Sequence, residues 1–412
     1  MAWLRYFPIF FLLLGLFSCE TIKPVAKQNL AYQYTPSFPF EVKSRILETG
    51  EDWSIFIEIR FKKLLGIQNP SQIWDKYRIS YVLTNGYESS RVLQMDTLGF
   101  DNRLAPSVNP LVLLHKLPKT KKNRLFTLVI KEKNTPDEYS FDVPIREEEG
   151  RGNYELALFH KNGRLPVFQN YVLTTDTVVV RSFSVFAEKF EFEFHPFSNS
   201  VALPPMAAIA TSGHDFDSHF NVSVVPNQRV VFKQPGYYFL PSAAGKNQGF
   251  GFMVVEPNFP QVTKPMELID PMIYISTREE RRIMLEASNK KLALDQFWLK
   301  VNSQKNTAKR LIRNFFEGIE QANYLFSSHK DGWKTDQGMV MAIYGLPPNV
   351  SRTWDLEIWQ YEKSQNTENT IFYFNRRPME KDPNVWEMKR FNEYDRFWYG
   401  VVELWRKGVI SR

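Results

Sequence analysis

The chain has one cysteine in 412 residues, Cys19. It can form no internal disulfide and no metal site built on several thiolates. No apolar run reaches the roughly 20 residues that a membrane-spanning helix requires. Net charge is +7, yet no Lys/Arg block dominates, and "KTKKNR" at 119–124 is the only dense basic run. It reads as a solvated hairpin tip, and without a clustered basic face nucleic acid is not an expected partner. There is no Walker A loop, no dinucleotide fingerprint and no GxSxG, so the usual phosphate, cofactor and serine-nucleophile chemistries lack their carriers. No cofactor is expected.

The chain is rich in aromatics, at 15%, with 43% hydrophobic residues overall, so it can supply large cores. Its first residues, "MAWLRYFPIFFLLLGLFSCE", begin with a short positive region at Arg5 and an apolar run of twelve residues at 6–17. Leu16-Phe17-Ser18-Cys19 resembles a bacterial lipobox, with Phe17 bulkier than that pattern usually has. The alternative is a plain signal peptide with an incidental cysteine. The lipobox reading implies a signal peptide at 1–18, acylation of Cys19 and a polar tether over 19–35. Several acyl chains anchor firmly, since each buried CH₂ contributes roughly 0.8 kcal/mol. The residues after Cys19, "ETIKPVAKQN", hold no dense acidic cluster, so the expectation is an outer-membrane lipoprotein on the periplasmic face.

Strand patterns follow. In "WSIFIEIRF" at 53–61, Trp53, Ile55, Ile57, Ile59 and Phe61 alternate with Ser54, Glu58 and Arg60, and Phe56 breaks the pattern. "YRISYVLTNGYESSRVLQM" at 77–95 reads as two strands around an Asn-Gly turn. With 124–132 and 138–145 these predict a β-sandwich over 36–149. A charged, glycine-containing stretch at 146–153 marks a boundary. A second strand series, broken by the turn at Gln234-Pro235-Gly236, predicts another sandwich over 150–257. The fold class expected is mixed: two tandem antiparallel, Ig-like β-sandwiches followed by an α+β domain over 266–412.

In that last part the pattern becomes helical. Thr277 and Glu280 have capping-box spacing. Ala308, Leu311, Ile312, Phe315, Ile319, Ala322 and Phe326 form one apolar stripe within 307–326. A last helix is predicted over 393–407, and strands over 339–345, 353–361 and 369–376. Between helix and strand lies "HKDGWKTDQGMVMAIYGLPP", with a turn signal at Asp331-Gly332. Trp333 can anchor packing, Thr335 and Asp336 can bond backbone N–H groups, and Gly338 permits close approach.

"GWKTDQG" resembles the signature of the GWxTD-domain family, matching at Gly332, Trp333, Thr335, Asp336 and Gly338. "MIYISTREERRIMLEA", "DQFWLKVN", "AKRLIRNFFEGIEQANYLF", "LEIWQY" and "FNEYDRFWYGVVELWRKG" follow the family's order across roughly 270–410. Leu346-Pro347-Pro348 departs from the acidic turn many members carry. The resemblance implies a Bacteroidota-type envelope lipoprotein with β-domains upstream. It carries no established activity.

Two functional classes remain. One is a non-catalytic envelope scaffold or binding module with protein partners. The other is a hydrolase or transferase around Thr335 and Asp336, with Arg310 and Glu317 as neighbours; it needs a second carboxylate near Asp336 for acid–base work. His214, Asp215, Asp217 and His219 form the best metal-ligand cluster by composition, and a solvated loop accounts for them better than a metal site does. Tyr394, Trp398 and Tyr399, if exposed together, would mark a partner or glycan site. Asp96-Thr97-Leu98 and Asp176-Thr177-Val178 resemble Bacteroidota O-glycosylation acceptors, at Thr97 and Thr177.

Overall fold

The computed structural model describes residues 29–35, 38–62, 66–147, 154–183, 187–207, 216, 220–242, 245–363, 367–376, 382 and 385–409. The signal peptide, Cys19, His214, Asp215, Asp217 and His219 lie outside the described residues.

The first β unit contains β1 (Phe40–Thr49), β2 (Asp52–Phe61), α1 (Ser71–Lys76), β3 (Tyr77–Thr84), β4 (Val92–Thr97), β5 (Leu111–Pro118), β6 (Arg124–Glu132) and β7 (Glu138–Ile145). Sheets β1-β2-β5 and β4-β3-β6-β7 share one core, in which Ile55, Ile57 and Ile59 of β2 meet Ile79, Leu128 and Ile130. The alternation in β2 is thus the signature of its inward face. Phe56, the exception, points the other way and packs with Leu47, Val112, Ala157, Phe159 and Val179, joining this unit to the next.

The second unit contains β8 (Leu156–His160), β9 (Tyr171–Leu173), β10 (Val178–Ser182), β11 (Phe190–His195), β12 (Phe220–Val224), β13 (Arg229–Val230), β14 (Gly236–Ser242) and β15 (Gly245–Val255). Its sheets are β13-β10-β8 and β12-β11-β14-β15-β9. Phenylalanines from the strands fill the space between them, among them Phe190, Phe192, Phe194 and Phe252. All its pairings are antiparallel except β9 with β15, which is parallel.

The C-terminal region holds α2 (Pro265–Ile269), α3 (Arg278–Glu286), α4 (Lys290–Val301), α5 (Lys305–Phe326), α6 (Asp336–Tyr344), β16 (Asn349–Arg352), β17 (Leu356–Tyr361), β18 (Thr370–Arg376), β19 (Trp386–Met388) and α7 (Tyr394–Arg406). The sheet β16-β17-β18-β19 is antiparallel. Thr277 caps α3 as its spacing predicts, with Thr277 Oγ1 accepting from Glu280 N and the Glu280 carboxylate accepting from Thr277 N. The α5 stripe is buried at Ala308, Leu311, Phe315, Ile319 and Ala322. Each fully buried Leu, Ile or Phe there contributes about 1.5–3 kcal/mol. The molecule is therefore the expected mixture of sandwich-like antiparallel sheets and a helix-rich C-terminal part. Among the described residues, no helix is long and apolar enough to cross a membrane.

Four expectations need correction. Residues 339–345 are not a strand: they belong to α6, where Met339–Ile343 are enclosed on every side. A helix buried all round shows no amphipathic period, so its short apolar run reads as a strand. Gly345, at φ 84, ends it in a conformation glycine adopts without penalty. The Asn85-Gly86 turn is not a tight hairpin, because residues 85–91 form a longer loop between β3 and β4 and Gly86 lies against Trp354. The run at 119–124 is not a hairpin tip, since β5 and β6 sit in different sheets and the run crosses between them. Finally, the described end of the tether is docked. Residues Ala31–Tyr34 form a 3₁₀ turn. Leu30 N donates to Val350 O at 2.9 Å, and Asn29 Oδ1 accepts from Val350 N at 2.9 Å.

Candidate functional site

The Gly332–Asp336 motif lies where α5, α6 and β19 converge. Chain reversal after α5 starts at Ser327, whose Oγ accepts from Gly332 N at 2.9 Å. Residues Gly332–Lys334 form a 3₁₀ turn pressed onto α5. A Cβ on Gly332 would run into the carbonyl of Ala322, and one on Gly338 would run into the carbonyl of Gly332. Both glycines therefore set the approach of α5, the turn and α6, and neither needs unusual dihedrals. Trp333 is buried, edge-on to Tyr274 at 5.9 Å between ring centroids. Its N–H donates to Asn323 Oδ1 at 3.3 Å, and its carbonyl accepts from Tyr274 Oη at 2.8 Å.

Thr335 is the N-cap of α6. Its Oγ1 accepts from Gly338 N at 3.1 Å and donates to Gly332 O at 2.7 Å. Asp336 follows at the first helical position, buried, where a negative charge suits the helix N-terminus. One oxygen meets Arg390 Nη2 at 2.6 Å, and the other accepts from Met388 N at 2.7 Å. Burial raises the carboxyl above its ordinary range, against the pull of Arg390 and the Met388 N–H. Arg390 also donates to Leu203 O at 3.3 Å. Ala202 N donates to Lys334 O at 2.9 Å, so a segment of the second β unit covers the motif.

Arg310 and Glu317 are exposed on α5, and no hydrogen bond links either to Thr335 or Asp336. The polar cluster expected from them is not formed. Asp336 is partnered instead by Arg390, which lies too far along the chain for sequence spacing to single out. Tyr394 and Trp398 are buried and only Tyr399 is exposed, so these three rings make no shared platform. Thr97 ends the edge strand β4, every residue of which is exposed. Thr177 is half-buried just before β10, where Asp176 Oδ2 caps Leu173 N at 2.9 Å. Among the described residues, no three His, Cys, Asp or Glu side chains cluster as metal ligands.

A second polar cluster joins three parts of the chain. Arg352 on β16 meets Asp142 of β7 at 2.7 Å, Glu357 of β17 at 2.5 Å and Tyr34 Oη at 2.9 Å. Tyr34 donates to Glu357 at 2.5 Å, Tyr87 donates to Asp142 at 2.5 Å, and Gln33 also reaches Asp142. The Asp142 and Glu357 side chains are 0% and 1% exposed, so these charges rely on one another rather than on water. Burial pushes the Asp142 carboxyl up, and Arg352, Tyr87 and Gln33 together bring it below the ordinary value. Asp142 lies on a strand whose neighbours alternate regularly. A polar residue there reads as solvent-facing, and only the packing of units reveals its partner.

No curated protein matches the chain. A family model described as GWxTD domain matches residues 236–407. The match begins at Gly236 in β14, ahead of residue 266, and takes in the β14–β15 hairpin with all of α2 to α7. The residues whose packing builds the α5–α6–β19 junction are the ones the family is named for, and the chain is a GWxTD domain-containing protein.

Proposed function

We propose that the protein is a lipid-anchored envelope scaffold or binding component whose GWxTD motif organises the fold and performs no catalysis. The observation that carries this reading is the use of the motif's own polar atoms. Both Asp336 oxygens and the Thr335 hydroxyl hold intramolecular partners. A hydrolase or transferase centred on them would require a carboxylate or hydroxyl available to substrate and a second acid–base group within reach. The nearest charged partner of Asp336 is a guanidinium, which stays protonated and cannot serve as that group.

Anchoring through acylated Cys19, at the periplasmic face of the outer membrane, is part of the proposal and rests on the lipobox-like sequence. Protein partners in the envelope follow from the same reading, as does O-glycosylation at Thr97, whose exposure on an edge strand suits a modifying enzyme better than the half-buried Thr177. The test is cross-linking and affinity capture of the native protein from its own membranes. A stoichiometric membrane complex supports the scaffold. Recovery of the folded protein alone, with no acyl mass on Cys19, would remove both the scaffold and the anchor.

A further inference from the structure

A cavity of about 250 Å³ lies where the two β units and the C-terminal domain meet. Arg45 of β1 forms one wall, Asn170, Tyr237 and the Phe250–Phe252 stretch of β15 form others, and Ser328 and Asp382 close the C-terminal side. Arg45 differs from the arginines of the two ion-paired clusters. Arg352 and Arg390 each face a carboxylate, at 2.7 and 2.6 Å. Arg45 has none. Its contacts run through Nη2 alone, to Gln169 O at 3.0 Å, to the carbonyls of Val167 and Phe168 at 3.3 Å, and to Asn170 Oδ1 at 3.5 Å. Its Nε is sealed from solvent and has no acceptor. A guanidinium offers five donors in a planar fork, suited to two oxygens of one carboxylate. A buried cation without a counter-charge is costly, and here burial lowers the guanidinium to about 10.

We propose that this cavity binds a small zwitterion of the amino-acid class, its carboxylate on Arg45 and its ammonium turned towards Asp382. Asp382 is 2% exposed and is fixed in place by His329, whose N–H and Nδ1 lie 3.0 and 2.8 Å from Oδ2. Its negative charge on the far wall disfavours phosphate or sulfate and favours a ligand with a cationic end. The cavity lies below the usual range of roughly 300–1,000 Å³ for drug-sized ligands, so a molecule of few heavy atoms fits. Tyr237, whose buried ring lies over Gly251, supplies a flat wall for its side chain.

The test uses the full chain with the twenty common amino acids, their amides, acetate and inorganic phosphate, read by calorimetric titration. At least one amino acid should bind, its amide should bind weaker by roughly tenfold or more, and Arg45→Gln should lose as much. The amide comparison decides the matter on the wild-type protein if Arg45→Gln does not fold. No binding by any amino acid overturns the proposal. So does equal binding of the amide, or binding of phosphate alone.

Discussion

Gly332, Thr335, Asp336 and Gly338 lie within seven consecutive positions and act by three physical means: close approach at the two glycines, capping at Thr335 and an ion pair at Asp336. Thr335→Ala removes a cap and should cost about 1 kcal/mol, while Thr335→Ser should cost less. Asp336→Ala leaves Arg390 buried without its carboxylate and should cost about 3–5 kcal/mol. Urea unfolding of the three proteins checks that order, and an Asp336→Ala loss no larger than that of Thr335→Ala would refute the role given to the ion pair. Gly338→Ala forces a methyl group into the Gly332 carbonyl and should destabilise more than the intrinsic helix preference, which favours Ala, would suggest. Glu280 makes a pH prediction. Its hydrogen bonds with Arg406 hold its carboxyl at about 2, against 4.5 ordinarily. The unfolded chain therefore takes up the proton first as pH falls. The contribution is complete above about 4.5 and is lost as pH falls towards 2. Glu280→Gln should flatten the dependence of stability on pH across that window, as measured by denaturant midpoints.

At the scale of elements, legibility follows burial. α5 buries one stripe, so its helical period discloses it; β2 is covered on both faces, and its alternation is legible because Ser54 and Glu58 keep the second face partly polar. α6 is buried all round, and its run at 339–345 carries no period to read; Thr335, its cap, was the available clue. The motif's chemistry was legible in residue type, since caps and close-approach glycines act locally. Arg390 was not, because its pairing with Asp336 spans 54 residues and is created by packing alone. The docked stretch Ala31–Tyr34 was missed for a like reason: its sequence is short and without period, and its partners lie on β16. Hydrogen exchange tests that docking. The amides of Leu30 and Val350 should be protected, and Asn29→Ala should release both while leaving α5 slow. Rapid exchange of Leu30 in the unaltered protein would show that the strap is not held.

Across the whole molecule, Arg352 joins the first β unit, the strap and the GWxTD domain through charges that no solvent supports. Arg352→Met should lower the thermal midpoint and separate one transition into two, because each unit keeps its own core while the link between them is lost. Scanning calorimetry reads this directly; a single, unshifted transition would show that the network does not couple the units.

The strap also sets a distance. The first described residue, Asn29, is bonded to Pro348 and Val350, at the start of the GWxTD sheet. With Cys19 acylated as proposed, only ten residues, 19–28, separate lipid from that contact, a leash of at most about 35 Å when fully extended. Order along the chain and height above the bilayer are then uncoupled. The domain made last by the ribosome is then held on the same short leash as the sandwich made first, whose Asp142 accepts from Gln33 and whose core Tyr32 packs against.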